Sequence, residues 1–219
     1  MLSGEGSQTV ERDAPPISPG ARDLRLATAA DVEQLRGVLA DAFFEDPVLS
    51  WLMPNDRTRL AQLRRYFGIE LRHYTLPRGR VWTTTDLAGA ALSLPPRMWR
   101  APTRVTLLEG SAFLTHLPRA ARIGAAMEWR HLRGPHYYVR DVGVLPSMQG
   151  KGLGSALMRP TLDRCDREGL PAYLEASSDR STALYERLGF RVTRELRIGS
   201  SPPLRLMVRM ADRTSAVAT

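Results

Sequence analysis

The sequence predicts an α/β (α+β) domain built on one mixed β-sheet of about seven strands, with helices on both faces. Three observations lead there. The elements read in the order β-α-α-β-β-α-β-α-β-α-β-β between residues 24 and 210. A strand near Val142 runs through a glycine-rich turn straight into a helix. No internal repeat and no linker interrupts residues 23–211, so the 219-residue chain reads as one domain.

Residues 1–22 are rich in Gly, Ser, Pro and charge without periodicity and read as a disordered tail, with a flexible tail at 212–219. Leu24–Ala27 reads as a short strand. Thr28 with Asp31 makes a capping-box start, and Val32, Leu35, Leu39, Ala42 and Phe43 then share a helical face. Glu45–Pro54 reads as a loop. Asn55 or Asp56 caps a second helix striped by Leu60, Leu63, Phe67, Leu71 and Tyr74. Arg80–Thr85 and Ala90–Leu94 form a hairpin ended by Pro95-Pro96. One or two helices fill Arg104–Leu132, and Tyr137–Val144 is the next strand. Gln149–Glu168 opens with glycines and continues as a helix that contains Pro160 and closes on Gly169. Ala172–Ala176 (strand), Arg180–Leu188 (helix), Phe190–Glu195 and Leu204–Met210 (strands) complete the order.

Composition excludes several classes of function. The net charge of +8 comes from 31 basic and 23 acidic residues, with Lys151 the single lysine. The basic residues are scattered, which argues for a solvated surface and against nucleic acid. No run of about 18 apolar residues suggests a membrane span. One cysteine, Cys165, excludes an internal disulfide framework and leaves no zinc-type cluster, so no metal is expected. The absence of a secretory pattern and the single thiol predict a cytoplasmic setting. His73, His116, His131 and His136 are scattered and read as surface or structural.

The segment Val142-Gly143-Val144-Leu145-Pro146-Ser147-Met148-Gln149-Gly150-Lys151-Gly152-Leu153-Gly154-Ser155 carries the chemistry. Glycines allow close backbone approach, and N–H groups at a helix start converge on an anion. The spacing fits neither the P-loop nor the dinucleotide fingerprint. On the residues alone, a phosphate site and a plain tight turn both stay open.

Gln149-Gly150-Lys151-Gly152-Leu153-Gly154 resembles the Q/R-x-x-G-x-G/A signature of the GNAT superfamily of N-acetyltransferases. Val142–Pro146 looks like that family's fourth strand, and Leu184-Tyr185-Glu186-Arg187-Leu188-Gly189-Phe190 like its closing motif. Within the superfamily, Gln149–Ala156, Tyr173-Leu174-Glu175, Tyr185–Phe190 and Pro160 are similar to puromycin N-acetyltransferase and its actinobacterial relatives. The resemblance implies the GNAT fold with a splayed fourth and fifth strand pair, and acetyl-CoA as co-substrate.

It further implies transfer of acetyl to a primary amine of a small molecule, such as an antibiotic or a biosynthetic intermediate, by direct attack in a ternary complex. Val142, Gly143 and Val144 would hold the pantetheine arm. Gln149, Gly150, Lys151, Gly152, Leu153, Gly154 and Ser155 would hold the diphosphate. Ser181 stands where many members carry a cofactor-binding Asn. Tyr185 matches the general acid for the departing thiolate, although a tyrosine there can equally pack the helix. Glu175 and Asp141, carboxylates inside strands, are the candidate bases or amine anchors. With strict alternation Glu175 shares a face with Tyr173. Phe43, Phe44, Asp46, Trp51 and Met53 are the candidate acceptor wall. Cys165 is read as packing. A protein lysine or N-terminal acetyltransferase and a non-catalytic acyl-CoA-binding regulator are the alternatives, and the chain is read as a monomer or homodimer.

Overall fold

The computed structural model describes residues 23–212, so the two tails read from the sequence lie outside the described residues, apart from Asp212. A seven-stranded mixed sheet runs in the order β1-β2-β3-β4-β5-β7-β6. Its strands are β1 (Leu24–Leu26), β2 (Arg80–Thr84), β3 (Gly89–Leu94), β4 (Tyr137–Val144), β5 (Ala172–Ala176), β6 (Arg191–Leu196) and β7 (Leu204–Arg209). All neighbours are antiparallel except β4 and β5. This is the GNAT fold that the sequence predicts.

On one face lie α1 (Val32–Ala42), α2 (Pro47–Leu52) and α3 (Asp56–Glu70). A π turn (Leu71–Thr75) continues α3 into α4 (Leu76–Arg78), and α5 (Thr103–Gly110) and α6 (Leu117–Arg130) follow. The other face carries α7 (Leu153–Glu168) and α8 (Asp179–Arg187). Leu35, Leu39, Leu63, Phe67, Leu71 and Tyr74, the stripes read from the sequence, are fully buried against Ala90, Leu92 and Tyr138. Met158, Leu162 and Cys165 of α7 meet Tyr137, Val139 and Leu174 on the opposite side. α1, α3 and α7 thus each bury an apolar stripe toward the sheet.

Local chemistry sets the ends. Asp31 caps the first helical turn through Thr28 and is held by both guanidinium nitrogens of Arg25, at 2.7 and 2.8 Å. Asn55 accepts from the N–H of Arg57 at the start of α3. α7 runs between left-handed glycines, Gly152 (φ 79°) and Gly169 (φ 65°).

Two sequence expectations change. The loop Glu45–Pro54 contains α2, because Asp46 and Pro47 form a strong N-cap and first-turn pair that the short apolar run concealed. Met53, expected in the acceptor wall, is 1% exposed and belongs to the core. The glycine opening ahead of α7 is as read: Gly150 (φ 79°) and Gly152 are left-handed and the helix starts at Leu153.

Candidate functional site

The parallel β4–β5 pairing covers only Tyr137 with Ala172 and Tyr138 with Tyr173. Beyond that point the strands diverge. The cause lies in β4. Leu92 pairs with Asp141 and Ser93 with Val139, so Arg140 is an extra residue on that strand. Such a bulge bends a strand and sharpens its twist. It also breaks the alternation of β4. Residues opposite one another in an antiparallel pair point to one face, so Asp141 and Gly143 share the α1 face with Leu92 and Ala90.

Arg140 stays on that face too. Its guanidinium meets Glu70 at 2.7 Å, as an ion pair out of hydrogen-bond alignment, and donates to Glu109 at 3.0 Å. It lies 5.0 Å from the ring centre of Tyr74. This buried charge cluster ties β4 to α3 and α5 directly beneath Asp141. Gly143 is required for packing: a Cβ there would meet the Leu39 side chain at 2.7 Å and Ala42 at 3.1 Å.

The divergence opens a wedge between β4 and β5. Glu175 lies two positions past the last paired residue of β5, with its side chain 4% exposed. Asp141 lies three positions past Tyr138. Burial pushes its carboxyl up to about 6, Arg140 opposes this, and Glu109, Asp46 and Glu175 add to it. Tyr185 of α8 packs on Phe190 at 5.9 Å. Burial, then the charges of Asp141 and Asp46, raise its hydroxyl well above the ordinary phenol value. It therefore remains a proton donor at neutral pH. The charges of Asp141 and Asp46 reach Tyr185, and those of Asp46 and Glu175 reach Asp141.

Asp46 is more committed than an acceptor-wall carboxylate needs to be. Its Oδ1 accepts from the N–H groups of Val48 and Leu49 at 3.0 and 2.9 Å, and its Oδ2 accepts from the hydroxyl of Ser177. Burial raises its pKa, and these donors oppose the rise. The other wall residues are spread around it. Phe43 packs on Phe67 at 5.2 Å, and Phe44 lies under the guanidinium of Arg59 at 5.0 Å. Trp51 has Arg119 over its ring at 5.2 Å and lines a 220 Å³ recess with Arg119, Arg122 and the Ile198–Ser200 loop. A more open 690 Å³ groove between α3 and α5 contains none of the candidate residues.

At the far end of the wedge, β4 meets the glycine turn. Val142 and Val144 turn their side chains toward α7. From Val139 onward their β5-facing edge has no strand neighbour. Gly150 and Gly152 have nothing within 4 Å of where a Cβ would stand, so the turn presents bare backbone to open space. Gln149 fixes the turn, donating to the Val144 carbonyl at 3.0 Å and accepting from Arg180 at 2.6 Å. Lys151 is exposed beside Met148. The first-turn N–H groups of α7, from Leu153, Gly154 and Ser155, follow directly, and a helix start of this kind favours an anion. These residues fit a diphosphate joined to an extended arm along β4. Ser181 is occupied locally: its hydroxyl exchanges hydrogen bonds with Ser178 in the capping of α8.

Two groups escaped the sequence reading. Arg180 supplies a second cation beside the turn. His131 and His136, read as scattered, are buried, bonded to each other at 3.0 Å and next to Glu175. Their spacing of five, across an irregular turn, carries no periodic signal. Cys165 is packed as expected, and burial pushes its thiol up to about 12. Among the described residues no group of three or more His, Cys, Asp or Glu could hold a metal ion, and no helix is long and apolar enough to cross a membrane.

Residues 109–190 match the family model described as acetyltransferase (GNAT) family. The chain is 28% identical over 207 residues to an uncharacterized N-acetyltransferase of Schizosaccharomyces pombe, covering 85% of this chain and 83% of that protein. It is 31% identical over 185 residues to a mycothiol acetyltransferase of Clavibacter michiganensis, covering 79% of this chain but 56% of that protein. It thus spans little more than half of that relative's length. A crystal structure described as histone acetyltransferase HPA2 and related acetyltransferase from Corynebacterium glutamicum superposes with a TM-score of 0.65 at 24% identity. That alignment covers 86% of this chain and 96% of the other.

Proposed function

With the family match, the relatives and the sheet together supporting a GNAT superfamily acetyltransferase, we propose that the chain moves an acetyl group from acetyl-CoA to a primary amine of a small molecule. The amine attacks directly in a ternary complex. The observation that carries this reading is the wedge: an open β4 edge ends at a bare glycine turn, with the charge of Asp141 reaching Tyr185 and that of Glu175 reaching Asp141.

Acetyl-CoA supplies an activated thioester carbonyl. Val142, Gly143 and Val144 would align its arm along the β4 edge. Gln149 to Ser155, with Lys151 and Arg180 nearby, would hold its diphosphate; Ser181 contributes at most a secondary contact. A backbone N–H in the Val142–Val144 stretch would steady developing charge on the carbonyl oxygen. Glu175 is the primary candidate to take the proton of the ammonium, with Asp141 the second, because its raised carboxyl sits near the useful range for a base. Tyr185 protonates the departing thiolate.

The acceptor side is formed by α1, α2 and α6. Phe43, Phe44 and Trp51 supply apolar surface, and Arg119 and Arg122 rim the recess beside Trp51. A recess of 220 Å³ suits part of a small molecule better than a polypeptide. The likeness to a mycothiol acetyltransferase supports a small acceptor. The single buried thiol supports a cytoplasmic setting.

The test is release of free thiol from acetyl-CoA against a panel of small amines, puromycin included, beside peptides with free N-termini or lysines. Turnover with a small amine and none with peptides supports the proposal. Turnover with peptides alone moves the chain to the protein-modifying class. Tight acetyl-CoA binding without turnover makes it a regulator.

A further inference from the structure

Cations and carboxylates are sorted to opposite ends of the acceptor side. The 220 Å³ recess is lined by Trp51, Arg119, Arg122, Ile198, Gly199 and Ser200, with no carboxylate among them. Arg119 and Arg122 stand three residues apart on α6, so they share one helix face. Arg119 lies over the Trp51 ring at 5.2 Å and donates to the Trp51 carbonyl at 3.3 Å. A guanidinium has five N–H donors, so most of its capacity is left over. Arg122 has no hydrogen bond or ion pair among the described residues. The acids of the adjoining elements are already engaged. Glu128 of α6 pairs with Arg100, and Glu195 of β6 pairs with Arg197.

Two connections set this recess beside the wedge. Asp46, whose charge reaches Asp141 and Tyr185, caps the start of α2, and Trp51 lies in the last turn of that helix. From cap to Trp51 the helix rises about 7.5 Å. On the sheet, Ala176 pairs with Arg205 and Leu196 with Leu204. The β6–β7 loop therefore leaves the sheet at the end of β5 that carries Glu175. Ser200 of that loop accepts from the indole N–H of Trp51 at 3.3 Å, which joins the loop to α2.

We propose that the acceptor is a small amine bearing an anionic group, carboxylate or phosphate, several bonds from its nitrogen. This deepens the acetyl-transfer reading and rests on it. Arg119 and Arg122 hold the anion by charge-assisted hydrogen bonds, and the amine lies toward Asp141 and Glu175. The sorting of charge also orients the molecule. An acceptor turned end for end would set its anion against the wedge carboxylates and its ammonium against two guanidinium groups. The nitrogen is thereby delivered to the side where the thioester would lie.

The thiol-release assay on the full chain tests this with matched acceptors. The pairs are ε-aminocaproate with its amide, phosphoethanolamine with ethanolamine, and every other amine that turns over with its carboxylated or phosphorylated twin. The anionic member is expected to show kcat/KM about tenfold or more above its neutral twin, mostly through KM. Arg122→Gln should bring that preference to within about twofold, and Arg122→Lys, which keeps the charge, should retain more of it. Arg119→Gln should act as Arg122→Gln does, with an added effect from its lost bond to the Trp51 carbonyl. Twins acetylated equally well, or a preference untouched by both glutamine variants, overturn the proposal and leave acetyl transfer standing. A chain that acetylates no amine overturns the proposal together with the reading beneath it.

Discussion

Ser177, just past the end of β5, donates its hydroxyl to Asp46, the residue that caps α2 on the other side of the wedge. One carboxylate thus fastens the acceptor-side helix to the strand that carries Glu175. Asp46→Ala removes both the cap and the tie. It should cost about 1 kcal/mol in denaturant unfolding and raise the KM for the amine. Asp46→Asn keeps an oxygen for the cap and an amide to meet Ser177, so it should retain most of both. Equal losses in the two variants would show that the carboxylate's charge matters, not its hydrogen bonds.

Tyr185→Phe removes a single oxygen from a buried ring already packed on Phe190. Turnover should fall about tenfold or more, equivalent to about 1.4 kcal/mol of barrier. Calorimetry should show acetyl-CoA binding unchanged. Turnover equal to the native chain would take the phenol out of the chemistry.

Gly152 separates two effects that one substitution would confuse. Nothing lies within 4 Å of its missing Cβ, yet its φ is 79°. Gly152→Ala therefore costs only backbone strain, about 1 kcal/mol, and should weaken acetyl-CoA binding modestly. Gly152→Asp adds a negative charge where the diphosphate would lie, and should abolish binding in calorimetry while the chain still folds. Retained affinity in Gly152→Asp would reduce the turn to a structural element.

Asp141 gives a pH test with a definite sign. Its carboxyl is raised from 3.8 to about 6 by burial. The folded chain therefore holds a proton that the unfolded chain releases in this window. The group's favourable contribution is complete below about pH 4 and is lost as pH climbs through 6. Permanently neutral Asp141→Asn should be more stable than the native chain at pH 7.5, by on the order of 1–3 kcal/mol. The difference should vanish near pH 4. Thermal melts at both values decide it, and a constant difference would mean the carboxylate is not desolvated.

The sequence shows most of this fold because its elements are locally consistent. The bounds of β4 and β5 match the structure to the residue, and the α3 stripe is buried as its spacing requires. The glycine turn and Tyr185 are legible as motifs. What escapes is whatever depends on chain segments far apart. The bulge at Arg140 shows only against β3, and strict alternation in β4 would have placed Asp141 on the α7 side. Glu70 and Glu109, which neutralise Arg140, come from two separate helices. α2 is too short for a periodic signal. The His131–His136 pair is brought to Glu175 by the packing of α6 and the following turn against β4 and β5.

On the proposed function, the unfinished ladder between β4 and β5 would make heat resistance a function of what the chain carries. A guest laid along that edge, bound to the folded form alone, deepens the native well by RT ln(1 + [L]/Kd), about 2.7 kcal/mol at a hundredfold excess over Kd. A cell starved of the activated acyl donor would hold the same polypeptide in a looser, more protease-sensitive state. The amount of enzyme would then follow the supply of its own co-substrate.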